Sequence, residues 1–196
     1  MRSRVIAATA TLLLATLTAC GSSDDSKPAA EGSPASETLT SEPTPDPTPS
    51  RQPILKMDST WEFDGTLDGE DVQGSVTVID YKQGIKSIAD ASEETGSDGY
   101  VWAYTELKTC SVIGSFLATT EPWTLAYEDG TRIEPSSSTW GDFPKPEYPF
   151  ETKLTPGRCV RGKLVFPVPE NDWPHTVVYA PYGIDTPQEW AVPTEG

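Results

Sequence analysis

The sequence predicts an all-β protein whose strands form an antiparallel β-sandwich. From Ile54 onwards, short runs of alternating apolar and polar residues recur, and Gly, Pro, Asp and Ser separate them. About seven or eight such runs at this spacing are typical of a sandwich. No long stretch repeats its apolar residues with the 3.6-residue period of an amphipathic helix. Residues 54–196 are therefore expected to form one β-sandwich domain, since about 140 residues is an ordinary domain size.

The predicted strands are rich in aromatic and β-branched residues, which favour a pleated, half-buried surface. In the run at 72–81, Val76 and Val78 share one face, and Ile79 and Tyr81 share the other, because side chains alternate along a strand. In order along the chain, strands are expected at residues 61–63, 72–81, 100–110, 123–127, 131–133, 160–168, 176–180 and 188–192.

Two connections carry local signals of their own. The Asp-Gly pair at 129–130 lies between two apolar runs and predicts a hairpin turn. Residues 85–94 contain several good helix formers, and Gly96 follows them at a position that suits a helix end. One or two helical turns are expected there.

The first twenty residues predict export from the cytoplasm. Arg2 and Arg4 precede an apolar run that extends to Leu17, and small residues follow, which is the pattern of a secretory signal peptide. The segment Leu17-Thr18-Ala19-Cys20-Gly21 resembles the bacterial lipobox. The resemblance implies that residues 1–19 are removed, that Cys20 is acylated, and that the lipid anchors the protein to the outer face of the cell membrane. Two acyl chains on this cysteine would give stable anchoring.

Residues 20–53 are expected to form a lipidated cysteine followed by a disordered stalk. Between Gly21 and Pro53 there are seven prolines, seven serines and four threonines, and Leu39 is the one large apolar side chain. Such a segment cannot bury enough apolar surface to offset the entropy lost on ordering. The stalk would separate the folded domain from the membrane.

The remaining cysteines, Cys110 and Cys159, predict a disulfide bond, because exported proteins reside in oxidising compartments. Two free buried thiols are the alternative. The formal net charge is −16, from 30 acidic and 14 basic residues. This excess of negative charge excludes nucleic acid as an expected partner, because its phosphates would be repelled.

The later part of the domain carries two recognisable motifs. A Pro-Gly turn is followed by a Gly-x-x-x-Phe-x-x-Pro-like strand at 154–169, and a Leu-x-x-x-Asp-Gly hairpin lies at 125–130. With these motifs, roughly residues 101–182 resemble a bacterial family of small Ig-like lipoprotein domains of unknown function. The resemblance implies an Ig-like antiparallel sandwich, and the family supplies no catalytic residues to assign.

No catalytic or metal site is expected from the sequence. His175 is the one histidine, so any Ser-His-Asp triad would have to use it, and a surface or capping position is the simpler interpretation. The acidic cluster of Asp64, Asp68, Glu70 and Asp71 lacks the spacing of an EF-hand. Solvated turns in an acidic protein explain this cluster, with a calcium site as the alternative.

The loop at 138–150 is the candidate recognition element. Pro and Gly separate its four aromatic residues, Trp140, Phe143, Tyr148 and Phe150. Exposed aromatic side chains on a rigid loop provide contact area at low entropic cost. The alternative is that these rings fold back and pack against the end of the sandwich.

A second candidate feature is the distribution of charge. Five of the ten basic residues after Ile54 lie between residues 145 and 163, whereas residues 58–98 hold eleven acidic residues and two basic ones. Opposed charged faces would steer a partner. Alternating charges on the solvent-exposed faces of strands are the other interpretation.

Together, these observations predict a lipid-anchored, extracytoplasmic lipoprotein that presents a non-enzymatic interaction or structural module. Its expected partners are the membrane, through the lipid on Cys20, and a cell-envelope component or protein. No cofactor is expected, and the protein is expected to be a monomer. The alternative is a cell-envelope hydrolase that uses paired carboxylates, which would require two of them to flank a cleft.

Overall fold

The computed structural model describes residues 52–67, 69–139 and 141–194. The predicted signal peptide, Cys20, almost all of the predicted stalk, and Trp140 lie outside the described residues. The described residues form eleven strands and one short helix, α1 (Ala91–Thr95). The strands are β1 (Leu55–Lys56), β2 (Thr60–Leu67), β3 (Glu70–Ile85), β4 (Tyr100–Ile113), β5 (Phe116–Thr119), β6 (Trp123–Ala126), β7 (Arg132–Ile133), β8 (Glu151–Leu154), β9 (Cys159–Pro169), β10 (Thr176–Tyr179) and β11 (Gln188–Ala191).

Two sheets make up the sandwich, which confirms the predicted fold. One sheet has five strands in the order β1-β11-β10-β6-β7, and the other has four in the order β2-β3-β4-β9. Strands β5 and β8 form a separate antiparallel pair. One pairing departs from the antiparallel pattern, because β1 runs parallel to β11. These two strands are the first and last of the domain, so the rest of the domain forms the long connection that a parallel pair needs.

The core lies between the two sheets and is built from alternate residues of each strand. Val76 and Val78 of β3 are fully buried, as their shared face predicted. Trp123 and Trp190 of the five-stranded sheet are also fully buried, and the indole Nε1 of Trp190 donates a hydrogen bond of 2.9 Å to the Ser59 carbonyl. This bond satisfies a polar atom that burial would otherwise leave without a partner.

Tyr81 departs from the predicted alternation. The pairing between β3 and β4 shifts register between Val78 and Asp80, and Tyr81 then lies opposite the fully buried Thr105. A β-bulge adds a residue to one strand and so changes which face the following side chains occupy. Tyr81 therefore packs against the core, where its ring meets Trp173 edge-on at 5.3 Å, and the prediction that it shares a face with Ile79 is wrong.

The Asp-Gly hairpin forms as predicted. Strands β6 and β7 pair antiparallel, with Leu125 opposite Ile133. In the turn, Asp129 accepts hydrogen bonds from the backbone N–H and the hydroxyl of Thr131, at 2.8 and 2.9 Å. These bonds favour the ionised carboxyl group and lower the pKa of Asp129.

Helix α1 overlaps the end of the stretch at 85–94 where one or two helical turns were predicted. It ends at Gly96, whose left-handed conformation (φ 67°) donates its N–H to the Ser92 carbonyl. Ala91 packs on the outer face of the four-stranded sheet, against Trp102 and Val165. In the described part of the chain, no helix has the length and apolar content needed to cross a membrane.

The predicted disulfide bond is present. Cys110 of β4 and Cys159 of β9 are paired directly opposite each other, and their sulfur atoms are 2.05 Å apart. Both side chains lie on the outer face of the four-stranded sheet, and Cys159 is exposed. The bond therefore joins two neighbouring strands within one sheet and does not connect the two sheets.

Candidate functional site

In the predicted recognition loop at 138–150, some of the described aromatic side chains are buried and one is exposed. Phe143 is buried and meets the Trp102 ring edge-on at 5.0 Å. Asp142 fixes this part of the loop, since its carboxylate accepts hydrogen bonds from the Ser87 hydroxyl and the Ile88 N–H, at 2.8 and 2.7 Å. Phe143 therefore acts as a packing residue, which is the alternative that the sequence left open.

Tyr148 also belongs to the core. Its hydroxyl shares a hydrogen bond of 2.8 Å with the Thr109 hydroxyl, and burial raises the pKa of Tyr148 to about 12. A ring held in this way is not available to a partner. Phe150 remains, and it is 48% exposed. Of the three aromatic residues of this loop that the structure describes, two therefore pack inside the domain and one is exposed.

A different part of the molecule holds a large open cavity, which we call the aromatic groove. It has a volume of about 810 Å³ and lies where the ends of β2, β3 and β10 meet β5. Four buried residues form its apolar floor: Phe63, Val72, Phe116 and Tyr179. The ring of Phe63 contacts those of Phe116 and Tyr179, at centroid distances of 5.6 and 6.3 Å. These mutual contacts fix the shape of the floor.

Exposed apolar side chains line the rim of the aromatic groove. Leu117 is 54% exposed and Tyr182 is 92% exposed. Tyr182 lies in the turn Pro181-Tyr182-Gly183 that follows β10. Gly183 has a φ of 81°, and a Cβ atom there would lie 2.8 Å from the Leu67 side chain. The positive φ favours glycine at this position, and the contact shows that the turn approaches β2 closely.

The surroundings of the aromatic groove are mostly acidic. Glu70, Glu121 and Lys153 contribute to its lining. A smaller hollow of about 210 Å³ adjoins it and includes Asp64 and Asp185 in its lining. Within the described part of the chain, none of these four carboxylates forms an ion pair or a side-chain hydrogen bond. Each is therefore free to meet a cation from outside.

The described residues that were considered for catalysis and metal binding do not form a metal site. His175 is exposed, and its Nδ1 is 3.7 Å from the Glu128 carboxylate. Among the described residues, no group of three His, Cys, Asp or Glu side chains is placed to hold a metal ion. Asp68, a member of the predicted acidic cluster, lies outside the described residues. The described lining of the aromatic groove includes no histidine or cysteine.

Several basic residues between positions 145 and 163 have partners close by, as expected if charges alternate on the exposed faces of the strands. Arg161 donates to the Glu106 carboxylate at 2.7 Å, and Lys145 pairs with Glu147. The Lys163 ammonium donates to the Lys145 carbonyl at 2.9 Å and lies 5.5 Å from the centre of the Tyr104 ring. Local partners thus occupy Lys145, Arg161 and Lys163, whereas the side chains of Arg158 and of Lys153 at the groove form no ion pair or hydrogen bond in the described part of the chain.

Sequence reasoning missed the aromatic groove. Its lining comes from five separate stretches of chain, and none of them contains a motif. One local signal was present, because the exposed Tyr182 stands between a proline and a glycine, and such a turn presents an aromatic ring to solvent.

Comparisons with known proteins identify the fold. No protein-family model matches this chain, and no curated protein sequence matches it. Among solved structures, the secreted protein MPT63 from Mycobacterium tuberculosis matches with a TM-score of 0.52 and 18% identity, over 72% of this chain and 99% of that one. This likeness shows the β-sandwich fold.

Two proteins of Bacillus subtilis give weaker matches. The yjhA protein has a TM-score of 0.49 and 16% identity, over 71% of this chain and 100% of that one. The ycdA protein has a TM-score of 0.47 and 16% identity, over 69% of this chain and 38% of that one.

Proposed function

We propose that this protein is a lipid-anchored, extracytoplasmic module that binds a partner at the aromatic groove and catalyses no reaction. The lipid on Cys20 holds the chain at the outer face of the cell membrane, and residues 21–53 serve as the spacer to the folded domain. The signal-peptide pattern, the lipobox-like segment and the Cys110–Cys159 disulfide support export. The protein MPT63, which shares the fold, is described as secreted.

The observation that carries the binding proposal is the aromatic groove with its exposed rim. Folding normally buries large apolar side chains, so an open apolar cavity bordered by Leu117 and Tyr182 favours interaction with another molecule. Tyrosine is also well suited to binding, because it offers a large contact area with few rotatable bonds.

The chemistry of the described lining favours binding over catalysis. Its polar groups are hydroxyls such as Ser115 and Thr119, together with Glu70, Glu121 and Lys153. A general base or nucleophile is usually oriented by a hydrogen-bonded neighbour. The two glutamates have no such neighbour in the described part of the chain.

Site-specific photo-crosslinking in living cells tests the binding proposal. A photoreactive phenylalanine analogue replaces Tyr182 in one strain and Ile88, which is 84% exposed on a segment away from the groove, in a second strain. A crosslinked product from position 182 and none from position 88 is expected. Equal crosslinking at the two positions, or none at position 182, would contradict a binding site at the aromatic groove.

Replacement of the lipobox cysteine tests the anchoring proposal. In Cys20→Ser the thiol that accepts the lipid is absent, so the protein should leave the membrane fraction and appear in the soluble extracytoplasmic fraction. Fractionation followed by immunoblotting measures the distribution, and Ser22→Ala serves as the matched control. A Cys20→Ser protein that stays in the membrane fraction would show that Cys20 is not the anchor.

A further inference from the structure

We infer that the aromatic groove receives an extended peptide segment in which apolar and basic residues alternate, and that this segment is added as a strand to the open edge of β2. The inference rests on the proposed function of the groove and names the chemistry of its partner. Three features of β2 support it: its place in the sheet, the hollow beside it, and its two-sided pattern of side chains.

Strand β2 is an edge strand. It is the first strand in the order β2-β3-β4-β9, so β3 covers one of its edges and no other strand pairs with the second edge in the described part of the chain. The turn at Gly183 lies close to Gly65, Thr66 and Leu67, so the stretch from Thr60 to Asp64 is the open part. At about 3.3 Å per residue, these five residues extend over roughly 16 Å. The unpaired N–H and C=O groups of such an edge can accept an additional strand.

A hollow follows this open edge. Its volume is about 210 Å³, and its lining includes four consecutive residues of β2, from Trp61 to Asp64, and the segment from Ile184 to Thr186 on the opposite side. Consecutive residues point to opposite faces of a strand. A cavity lined by all four must therefore lie along the backbone edge and not above one face. It shares Phe63 and Ile184 with the aromatic groove.

The side chains of β2 favour a partner strand in which apolar and basic residues alternate. Phe63, Gly65 and Leu67 point into the aromatic groove, whereas Glu62 and Asp64 are exposed on the outer face. A strand paired with β2 presents its own residues alternately to the same two sides. Apolar residues would enter the groove, and basic residues would lie beside Glu62 and Asp64.

Charge argues against a second copy of this chain as the partner. Antiparallel pairing of β2 with β2 of another copy would place Glu62 and Asp64 near their own counterparts, and like charges opposite each other are destabilising. A cationic segment would instead meet the unpaired carboxylates of Glu62, Asp64 and Asp185. The net charge of −16 also favours a basic partner during encounter.

A labelled heptapeptide, KVKFKVK, tests this inference with the full mature lipoprotein purified in a nonionic detergent. Fluorescence anisotropy measures binding, and the acidic peptide EVEFEVE is the first control. We expect the basic peptide to bind and the acidic peptide not to bind. The double variant Glu62→Lys/Asp64→Lys should weaken binding at least about tenfold, because two attractions become repulsions.

The matched control is Asp98→Lys/Glu170→Lys, which makes the same change in net charge. These two exposed carboxylates lie beside the Tyr100 end of β4, whereas the aromatic groove lies towards its Ile113 end. This variant should bind the basic peptide within about twofold of the unaltered protein, since the remaining effect is long-range and screened by salt. Equal weakening in the two double variants would overturn the inference, since attraction would then depend on net charge alone.

Two methylated peptides test strand pairing itself. One carries N-methyl groups on the amides of the lysines, and the other carries them on the amides of the apolar residues. Only one alternate set of amides in a strand faces its neighbour, so one peptide should lose binding and the other should retain it. Equal binding by the two would overturn strand addition.

The outcomes also separate this inference from the proposed function. If KVKFKVK does not bind while crosslinking at position 182 persists, the chemistry inferred for the partner is wrong and the groove is still a binding site. If sedimentation shows a dimer that the neutral variant Glu62→Gln/Asp64→Asn strengthens, because the like charges between the two copies are removed, and KVKFKVK does not bind, the occupant is a second copy of this chain and the inference fails.

Discussion

Gly162 sits where the segment before β8 crosses the edge of β9. The N–H of Tyr148 donates to the Lys163 carbonyl at 2.9 Å, and the N–H of Lys163 donates to the Pro146 carbonyl at 2.8 Å. A Cβ atom on residue 162 would overlap the backbone atoms of Glu147 and Tyr148. Only glycine permits this contact, because backbone atoms cannot turn aside as a flexible side chain can.

We therefore expect Gly162→Ala to lower the free energy of unfolding by roughly 2–3 kcal/mol, within the range of overpacked interior sites. Urea denaturation followed by tryptophan fluorescence measures the change. The neighbouring Arg161→Ala removes an exposed ion pair with Glu106 and should cost about 1 kcal/mol or less. If Gly162→Ala were as stable as Arg161→Ala, the segment at 147–148 would not lie against β9.

The predicted recognition loop at 138–150 shows how little the identity of a single residue says about its burial. The sequence identified Phe143 and Tyr148 as prominent rings but left open whether they pack or bind. The answer depends on Trp102 and Thr109, which lie about 40 residues earlier in the chain. Burial of these rings is a long-range property, so the local pattern of Pro, Gly and aromatic residues was not sufficient to predict it.

The disulfide bond constrains two strands that already pair along their length. Cys110 and Cys159 are the last of eleven opposed pairs between β4 and β9, and they are 49 residues apart in sequence. In the chain-entropy model, closing a loop of this size stabilises the fold by roughly 4 kcal/mol, because it restricts the unfolded chain.

The double variant Cys110→Ala/Cys159→Ala should therefore lose about 4 kcal/mol of unfolding free energy in urea denaturation. Reduction of the unaltered protein with dithiothreitol should give a similar loss. Since Cys159 is exposed, reduction should proceed under native conditions, and thiol-specific mass labelling would detect it. A loss below about 1 kcal/mol would mean that the unfolded chain is already compact around this loop.

Strands with a strong local sequence pattern were predicted. Strands that form only by pairing with a distant segment of the chain were not. The hairpin of β6 and β7 follows from an Asp-Gly turn and two short apolar runs. Strands β5 and β8 are four residues each and are separated by more than thirty residues, so their pairing leaves no local signal. The β-bulge near Asp80 also has no local signal in the sequence. Strand β5 borders the aromatic groove. Because this strand was not predicted, the groove could not be predicted either.

The folded domain should lose stability at alkaline pH. Burial raises the pKa of Tyr148 to about 12 and also raises the pKa values of Tyr81, Tyr127 and Tyr179. In the unfolded chain a tyrosine loses its proton near pH 10. Above this pH the unfolded state binds fewer protons than the folded state, so the free energy of unfolding falls as pH rises.

Tyr148 alone should account for a loss on the order of 2–3 kcal/mol between about pH 10 and pH 12. Urea denaturation at several pH values in this window measures the loss, and Tyr148→Phe should reduce it. Leu117→Ala is the control at an exposed position, and its pH dependence should equal that of the unaltered protein because the substitution removes no titratable group. An unchanged slope in Tyr148→Phe would contradict the assignment.

The parallel contact between β1 and β11 determines how the domain would respond to mechanical force. Leu55 lies beside Trp190 and Lys56 beside Ala191, and the Pro53 carbonyl accepts a hydrogen bond from the Gln188 side chain at 2.9 Å. If Gln52 and Pro193 are pulled apart, these neighbouring strands must slide past each other. Their hydrogen bonds then share the load and fail together, whereas an antiparallel pair would unzip one bond at a time. Under tension, the same short pair of strands would hold the domain together at both of its ends.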